Sequence, residues 1–180
     1  PQGLSGNTTG LQNDGNAPDG SGTIGGNYMY YEASNPAQTG DQISLTSQCL
    51  DLTALTNPCL TFDYHMYSVG GFQDEMGTLD ILVNGTNVWT ISGNQGSDWN
   101  SAQISLSSYV GTCITIHLVG TRGSGFRSDM AIDNISIDDC VLPGCIDPLA
   151  CNYNPLATVD DGNCVVVLVD ASADQTICNG

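Results

Sequence analysis

The chain has 180 residues, 19 acidic side chains against two basic ones, and a formal charge of −17. With no lysine, and only Arg122 and Arg127 as cations, it has no cluster to displace counterions from phosphates, which excludes nucleic acid and anionic membrane surfaces as partners. No apolar run reaches spanning length, so direct membrane insertion is not expected.

Eight cysteines are present: Cys49, Cys59, Cys113, Cys140, Cys145, Cys151, Cys164 and Cys178. None forms a C-x-x-C pair and neither histidine is near them in sequence, so disulfides and export explain them better than zinc. Parity adds a condition. If Cys178 pairs outside this chain, seven remain and one must be free.

Residues 1–27 are rich in Gly, Asn, Asp, Thr and Pro, lack periodicity, and read as irregular loop around one short strand. From residue 28 the texture changes to short β-type runs separated by turn signals. The predicted strands are Tyr28 to Ala33, Gln42 to Thr46, Leu60 to Tyr67, and Thr78 to Val83, the last ending at a tight Asn84-Gly85 turn. Val88 to Ser92, Ala102 to Leu106, Cys113 to Val119 and Met130 to Ile137 follow. No segment has a helical period, so the fold class is all-β, a sandwich or barrel.

Alternation assigns the faces. Leu60, Phe62, Tyr64 and Met66 form one core row; Leu79, Ile81 and Val83 form another; Ile114, Ile116 and Leu118 form a third. In the last strand Ala131, Asp133, Ile135 and Ile137 fall on one side. An Asp among aliphatics needs a cation when desolvated, and with two arginines in the chain a metal is the more available one. His65 and His117 fall opposite the core rows, and no nucleophile motif, HExxH or paired carboxylate frame accompanies them, so no catalytic residue is assigned. Tyr30, Tyr67, Tyr109 and Phe126 are the candidates for an exposed aromatic platform.

The stretch Gly144 to Cys164 is too short and too polar to bury a core. Asp147, Asn152, Asn154, Asp160 and Asp161 supply closely spaced side-chain oxygens, and Tyr153 and Val159 can add carbonyls. Such mixed oxygen shells suit Ca2+, with cysteines at the ends to close the loop. The rival reading is a polar linker held by Asx turns.

Several of these runs resemble one family. Tyr28-Met29-Tyr30-Tyr31-Glu32-Ala33-Ser34 is similar to the YMYxEAS strand of MAM domains, and Cys59 to Tyr67 to their CLxFxYHMY strand. Met76-Gly77-Thr78-Leu79, then Trp89, Ser92 to Gly96 and Trp99, match the family's next signatures. Gly120-Thr121-Arg122-Gly123 and Ser128 to Ile135 match GxRG and SDIAIDDI. Ser68 departs from the family glycine, and Val69 to Glu75 is a longer insertion. The resemblance implies a jelly-roll β-sandwich in which Cys49–Cys113 and Cys59–Cys140 bridges are possible, with a local Cys49–Cys59 bridge as rival. In the appendage it leaves Cys145–Cys164 beside a Cys140–Cys151 alternative. It also implies a cation site in the sandwich: Asp133 foremost, Asp129 and Glu32 beside it, and Asp14 and Asp19 from the loop that the family places near the end of the last strand.

Gly144 to Cys164 resembles a thrombospondin type-3-like calcium repeat of large exported bacterial surface proteins. Residues 165–180 are similar to the opening of an immunoglobulin-like or PKD-like repeat. The implied organisation is therefore 1–140 MAM-like jelly roll, 141–164 calcium repeat, and 165–180 the truncated start of a further repeat. For such a bacterial protein the sequons at Asn7, Asn84 and Asn134 are read as unused. The expected function is a non-catalytic, calcium-stabilised adhesion module on an exported surface protein. Its partner would be an extracellular protein, a polysaccharide or a neighbouring copy. The alternative is a carbohydrate-binding accessory module of a secreted hydrolase or protease.

Overall fold

A computed structural model describes residues 28–68 and 71–166. Asp14, Asp19, Asn7 and Cys178 lie outside them, as does most of the 165–180 segment.

Twelve strands occur among the described residues. They are β1 (Met29–Tyr31), β2 (Gln42–Thr46), β3 (Leu50–Asp51), β4 (Pro58–Met66), β5 (Thr78–Val83), β6 (Thr86–Ser92), β7 (Asn100–Ser105), β8 (Cys113–Ile114), β9 (Ile116–Thr121), β10 (Met130–Asp139), β11 (Pro143–Gly144) and β12 (Val159–Asp160). Two short 3-10 turns, Gln73–Glu75 and Ser107–Tyr109, interrupt them. The fold is an all-β, jelly-roll-type sandwich. One four-stranded sheet has the order β1-β10-β4-β7 and the other β2-β9-β5-β6, with β3-β8 as a two-stranded extension.

The three core rows are buried as alternation predicts. Phe62, Leu60, Met66, Ile81, Val83, Ile114 and Ile116 are all inaccessible or nearly so. Each such side chain contributes roughly 1.5–3 kcal/mol on leaving water, enough collectively to hold two sheets together without a helix. Trp89 packs edge-on against Phe62 and Tyr64, with ring centroids 5.5 and 5.6 Å away. The β5–β6 hairpin turns at Asn84 and Gly85, whose φ values of 50° and 80° are those a tight two-residue turn demands.

The last strand departs from simple alternation. Met130 and Ile132 pack into the core, and so does Ile137, which has the opposite parity. Between them Asn134 sits in the left-handed region at φ 50°. That single residue shifts the phase, as a β-bulge does. Asn134 and Ser136 then face outward with Asp63 and Thr61 of β4. The row Ala131, Asp133, Ile135 and Ile137 therefore does not share one side: Ala131 is buried under aromatic rings, Ile135 is exposed and Ile137 is inward.

The Cys49–Cys113 bridge joins β8 to the residue preceding β3, with Cα atoms 5.6 Å apart, and the local Cys49–Cys59 alternative does not occur. Cys145–Cys164 closes the appendage. Cys59, Cys140 and Cys151 are also disulfide-bonded, and no described cysteine is free.

The chain forms two compact units, Pro1–Asp138 and Asp139–Gly180. Within the second, β11 and β12 pair in parallel. Thr158 links two turns: its amide donates to the Leu142 carbonyl and its hydroxyl to the Cys140 carbonyl. Little apolar surface is covered, and Leu149 stays 83% exposed. The disulfide and the hydrogen bonds carry the order here, so the segment does have a means of ordering besides a cation.

Candidate functional site

The most constrained polar cluster surrounds Ala33, just beyond β1. Its amide donates to Asp129 Oδ1 at 2.6 Å, and its carbonyl accepts from Arg122 Nε at 2.6 Å. One residue is thus held through both of its backbone polar groups by side chains from the Thr121–Gly123 and Ser128–Met130 segments. Arg122 also reaches the Thr39 hydroxyl and the Gly123 carbonyl. The loop between them folds tightly: Ser128 Oγ accepts from the Gly123 amide and donates to the Gly125 carbonyl.

Asp129 is 0% exposed; among the described residues its Oδ2 receives no donor hydrogen, and the Glu32 carboxyl lies within hydrogen-bonding reach of it. Burial pushes its carboxyl up to about 7; the Ala33 amide opposes that, and the neighbouring Glu32 carboxylate adds to it. A desolvated acid with one oxygen lacking a donor, beside a second acid, is the chemistry that a proton or a cation relieves.

Asp133 is only half-buried, and its Oδ1 accepts from the Asn134 amide at 2.8 Å within the bulge. Among the described family-implied candidates the fully desolvated acid is Asp129, four residues earlier. Glu32 is exposed and accepts from the Ser34 amide at 3.0 Å. Among the described residues no three His, Cys, Asp or Glu side chains are arranged to hold a metal.

In the appendage every candidate side chain makes a local hydrogen bond. Asp147, Asn154, Asp160 and Asp161 each accept from the amide two residues on, at 2.9, 3.0, 3.0 and 2.9 Å. These are Asx turns, which need one oxygen per side chain and leave the second carboxylate oxygen outside the turn. Asn152 instead crosses the loop, donating to the Asn163 carbonyl and accepting from the Val165 amide, both at 2.8 Å.

The outer face of the β1-β10-β4-β7 sheet has two zones. At one end His65 is 0% exposed, under Trp99 at 5.6 Å and Tyr67 at 6.3 Å between ring centroids. Burial holds its imidazole below the ordinary value, partly offset by the Ser97 carbonyl that Nε2 contacts at 3.1 Å. Tyr28, Tyr30 and Trp99 complete this small second core over Ala131. At the other end lies an open depression of about 320 Å³ lined by Thr61, Asp63, Ser101, Gln103 and Asn134, with Phe62 and Ala102 between them. Alternation placed His65 opposite the core rows, but nothing in it distinguished a buried histidine from a solvated one, and it did not locate the polar zone.

Of the proposed aromatic platform, Phe126 is 46% exposed. Together with Phe72 it flanks the Arg127 guanidinium, at 4.1 and 3.8 Å from the two ring centroids. Glu75 lies 3.8 Å from the same group. His117 contacts the Thr46 hydroxyl at 3.0 Å on the opposite sheet.

The family model for the MAM domain, meprin/A5/mu, matches residues 5–141. The MAM domain-containing glycosylphosphatidylinositol anchor protein 1 of Gallus gallus is 36% identical over 137 residues, covering 71% of this chain and 14% of that protein. Protein 2 of the same name from Mus musculus is 34% identical over 146 residues, 73% of this chain and 14% of its own length. This chain therefore spans about a seventh of those relatives. Among solved structures, the sugar-binding C-terminal domain of EclA aligns at a TM-score of 0.46 and 13% identity, covering 62% of this chain and 76% of that one. The K3 adhesin domain of Lys-gingipain from Porphyromonas gingivalis aligns at 0.45 and 11%, covering 63% and 74%.

Proposed function

The chain belongs to the MAM domain family, and from that premise we propose that it is a non-catalytic, extracellular recognition module whose fold is completed by calcium. The disulfide-bonded sandwich and its relationship to anchored surface proteins support the extracellular, adhesive part. The observation that carries the calcium part is Asp129: a fully buried carboxyl whose second oxygen receives no donor among the described residues and faces the Glu32 carboxyl. Asp133 and the N-terminal Asp14 and Asp19 are the other proposed contributors in the sandwich. In the appendage the second oxygens of Asp147, Asp160 and Asp161 would converge with Asn152 and Asn154 on a further ion, as in a thrombospondin type-3-like repeat of an exported bacterial protein. Stiffening that segment would turn a linker into a spacer toward a following domain.

Titration of metal-free chain with Ca2+ tests the calcium part. A ligand of the native state at a hundred times its dissociation constant adds about 2.7 kcal/mol to stability. A raised melting temperature in calcium and its loss in chelator are expected. Identical melts, with no heat of binding, would sink the calcium reading. Beads coated with the chain test adhesion. They should attach to at least one of three surfaces, coated with matrix protein, neutral polysaccharide or the chain itself. Inert beads on all three would overturn it. The carbohydrate reading is favoured separately by the open depression on the outer sheet face.

A further inference from the structure

The outer face of the β1-β10-β4-β7 sheet carries two rungs of hydrogen-bonding side chains. In the first, Asp63 of β4 stands opposite Ser101 of β7 in the ladder. Asp63 accepts from the Ser101 hydroxyl through Oδ1 at 2.5 Å, and from Asn134 Nδ2 through Oδ2 at 2.7 Å. In the second, Thr61 stands opposite Gln103 and meets Ser136 Oγ at 3.0 Å. Residues two apart along a strand place the rungs roughly 6.6 Å from each other. The bulge at Asn134 is what turns Asn134 and Ser136 toward this face.

Each rung is held in place by its own contacts, yet Ser101, Gln103 and Asn134 stay exposed. The side chains that converge here are hydroxyls, amides and one carboxylate. Hydroxyls and amides both donate and accept, as vicinal hydroxyls on a ligand do. The outward side chains of the two rungs include no large apolar group, unlike the aromatic and aliphatic core of a protein interface. Asp63 brings a carboxylate to the first rung, Ser136 of the second donates to the Asp138 carboxylate at 3.1 Å, and the chain carries −17, so uronates, sulfates and phosphates are repelled. Beyond the first rung the half-buried rings of Trp99 and Tyr30 pack over Tyr28 and Ala131.

We propose that this face binds a neutral oligosaccharide, with Asp63, Asn134, Ser101 and Gln103 recognising hydroxyls. The proposal rests on the reading of the chain as a recognition module and names the ligand class that the module takes. The binding is of modest affinity, because the depression is shallow and competes with water for every hydrogen bond.

Calorimetry on the whole chain in calcium, with hexasaccharides of β-1,4-glucose, β-1,3-glucose, β-1,4-xylose and β-1,4-mannose, tests it. At least one should bind one-to-one with a dissociation constant below about 1 mM. Polygalacturonate should not bind. Asp63→Ala and Gln103→Ala should each weaken the active sugar about tenfold or more, while Phe126→Ala leaves it unchanged. Gln103 is an exposed position, so its variant remains informative if Asp63→Ala is unstable. Silence from all four sugars overturns the proposal, as does binding that both variants leave intact. Bead attachment that survives the Asp63→Ala, Gln103→Ala pair also overturns it, while leaving the recognition module standing. Inert wild-type beads would instead count against the module itself.

Discussion

At Asp129 a single carboxyl ties the stability of the sandwich to pH. Its folded-state value is pushed up to about 7 by burial, against the ordinary carboxylate value of the unfolded chain. The unfolded state therefore releases this proton first as pH rises, and stability from this group is fully present below about pH 4 and is lost progressively up to about pH 7. A shift of that size corresponds to roughly 4 kcal/mol between the two ends. Glu32 and Arg122 are the charged groups that act on it, in opposite directions. In chelator, Asp129→Asn should flatten the difference in melting temperature between pH 4.5 and 7.5 relative to the parent, because the amide has no proton to lose there. In calcium at pH 7.5 the same variant should lose most of the cation-dependent increment. A variant with the parent's pH slope would show that another group titrates. The candidate was legible in the sequence only as a family position. Alternation pointed to Asp133, because a phase shift at Asn134 cannot be seen in a pattern of apolar residues, and desolvation is set by what the loop at residues 122–128 folds over.

Two turns at the scale of elements meet with no room for side chains. A Cβ on Gly77, at the entry to β5, would collide with the Thr121 carbonyl; one on Gly123, at the exit from β9, would collide with the Glu75 carbonyl. The close approach registers β5 against β9 and seats Arg122 on Ala33. Gly123→Ala should destabilise the sandwich by at least about 2 kcal/mol, since the obstructing atoms are backbone and cannot yield. A denaturant melt measures it, and a cost under 0.5 kcal/mol would show that the turns separate freely. Phe62→Ala, in the centre of the β4 core row, should cost about 3–5 kcal/mol by leaving a cavity under Trp89. Core rows of this kind are readable because each strand there keeps strict period two, and the turn at Asn84-Gly85 is readable because its chemistry is local. The short β3, β11 and β12 strands escape such reading: two residues give no period, and their pairing depends on partners distant in sequence or on a disulfide.

The two units of this chain are stabilised by different means, and that difference is measurable. The sandwich buries a continuous apolar core, whereas the appendage leaves Leu149 and Leu156 exposed and relies on Cys145–Cys164, Asx turns and the Asn152 cross-links. The sequence marked both the polarity and the terminal cysteines of that segment. It could not decide between turns and a cation, because the same Asp and Asn spacing serves either, and the turns leave carboxylate oxygens to spare. Closing a loop of this length with a disulfide contributes about 3 kcal/mol in the chain-entropy account, a large share of what so small a unit can have. Replacing Cys145 and Cys164 together by Ser should therefore melt the appendage, seen as loss of amide protection at Tyr153 and Asp161, while the sandwich core at Ile81 and Leu118 stays protected. Asp160→Asn with Asp161→Asn keeps the Asx turns, since an amide oxygen accepts as a carboxylate does, but removes two charges. That pair should leave the appendage folded in chelator and abolish its share of calcium binding. Full calcium stoichiometry in the double variant would assign the turns, and not an ion, as what orders this end of the chain.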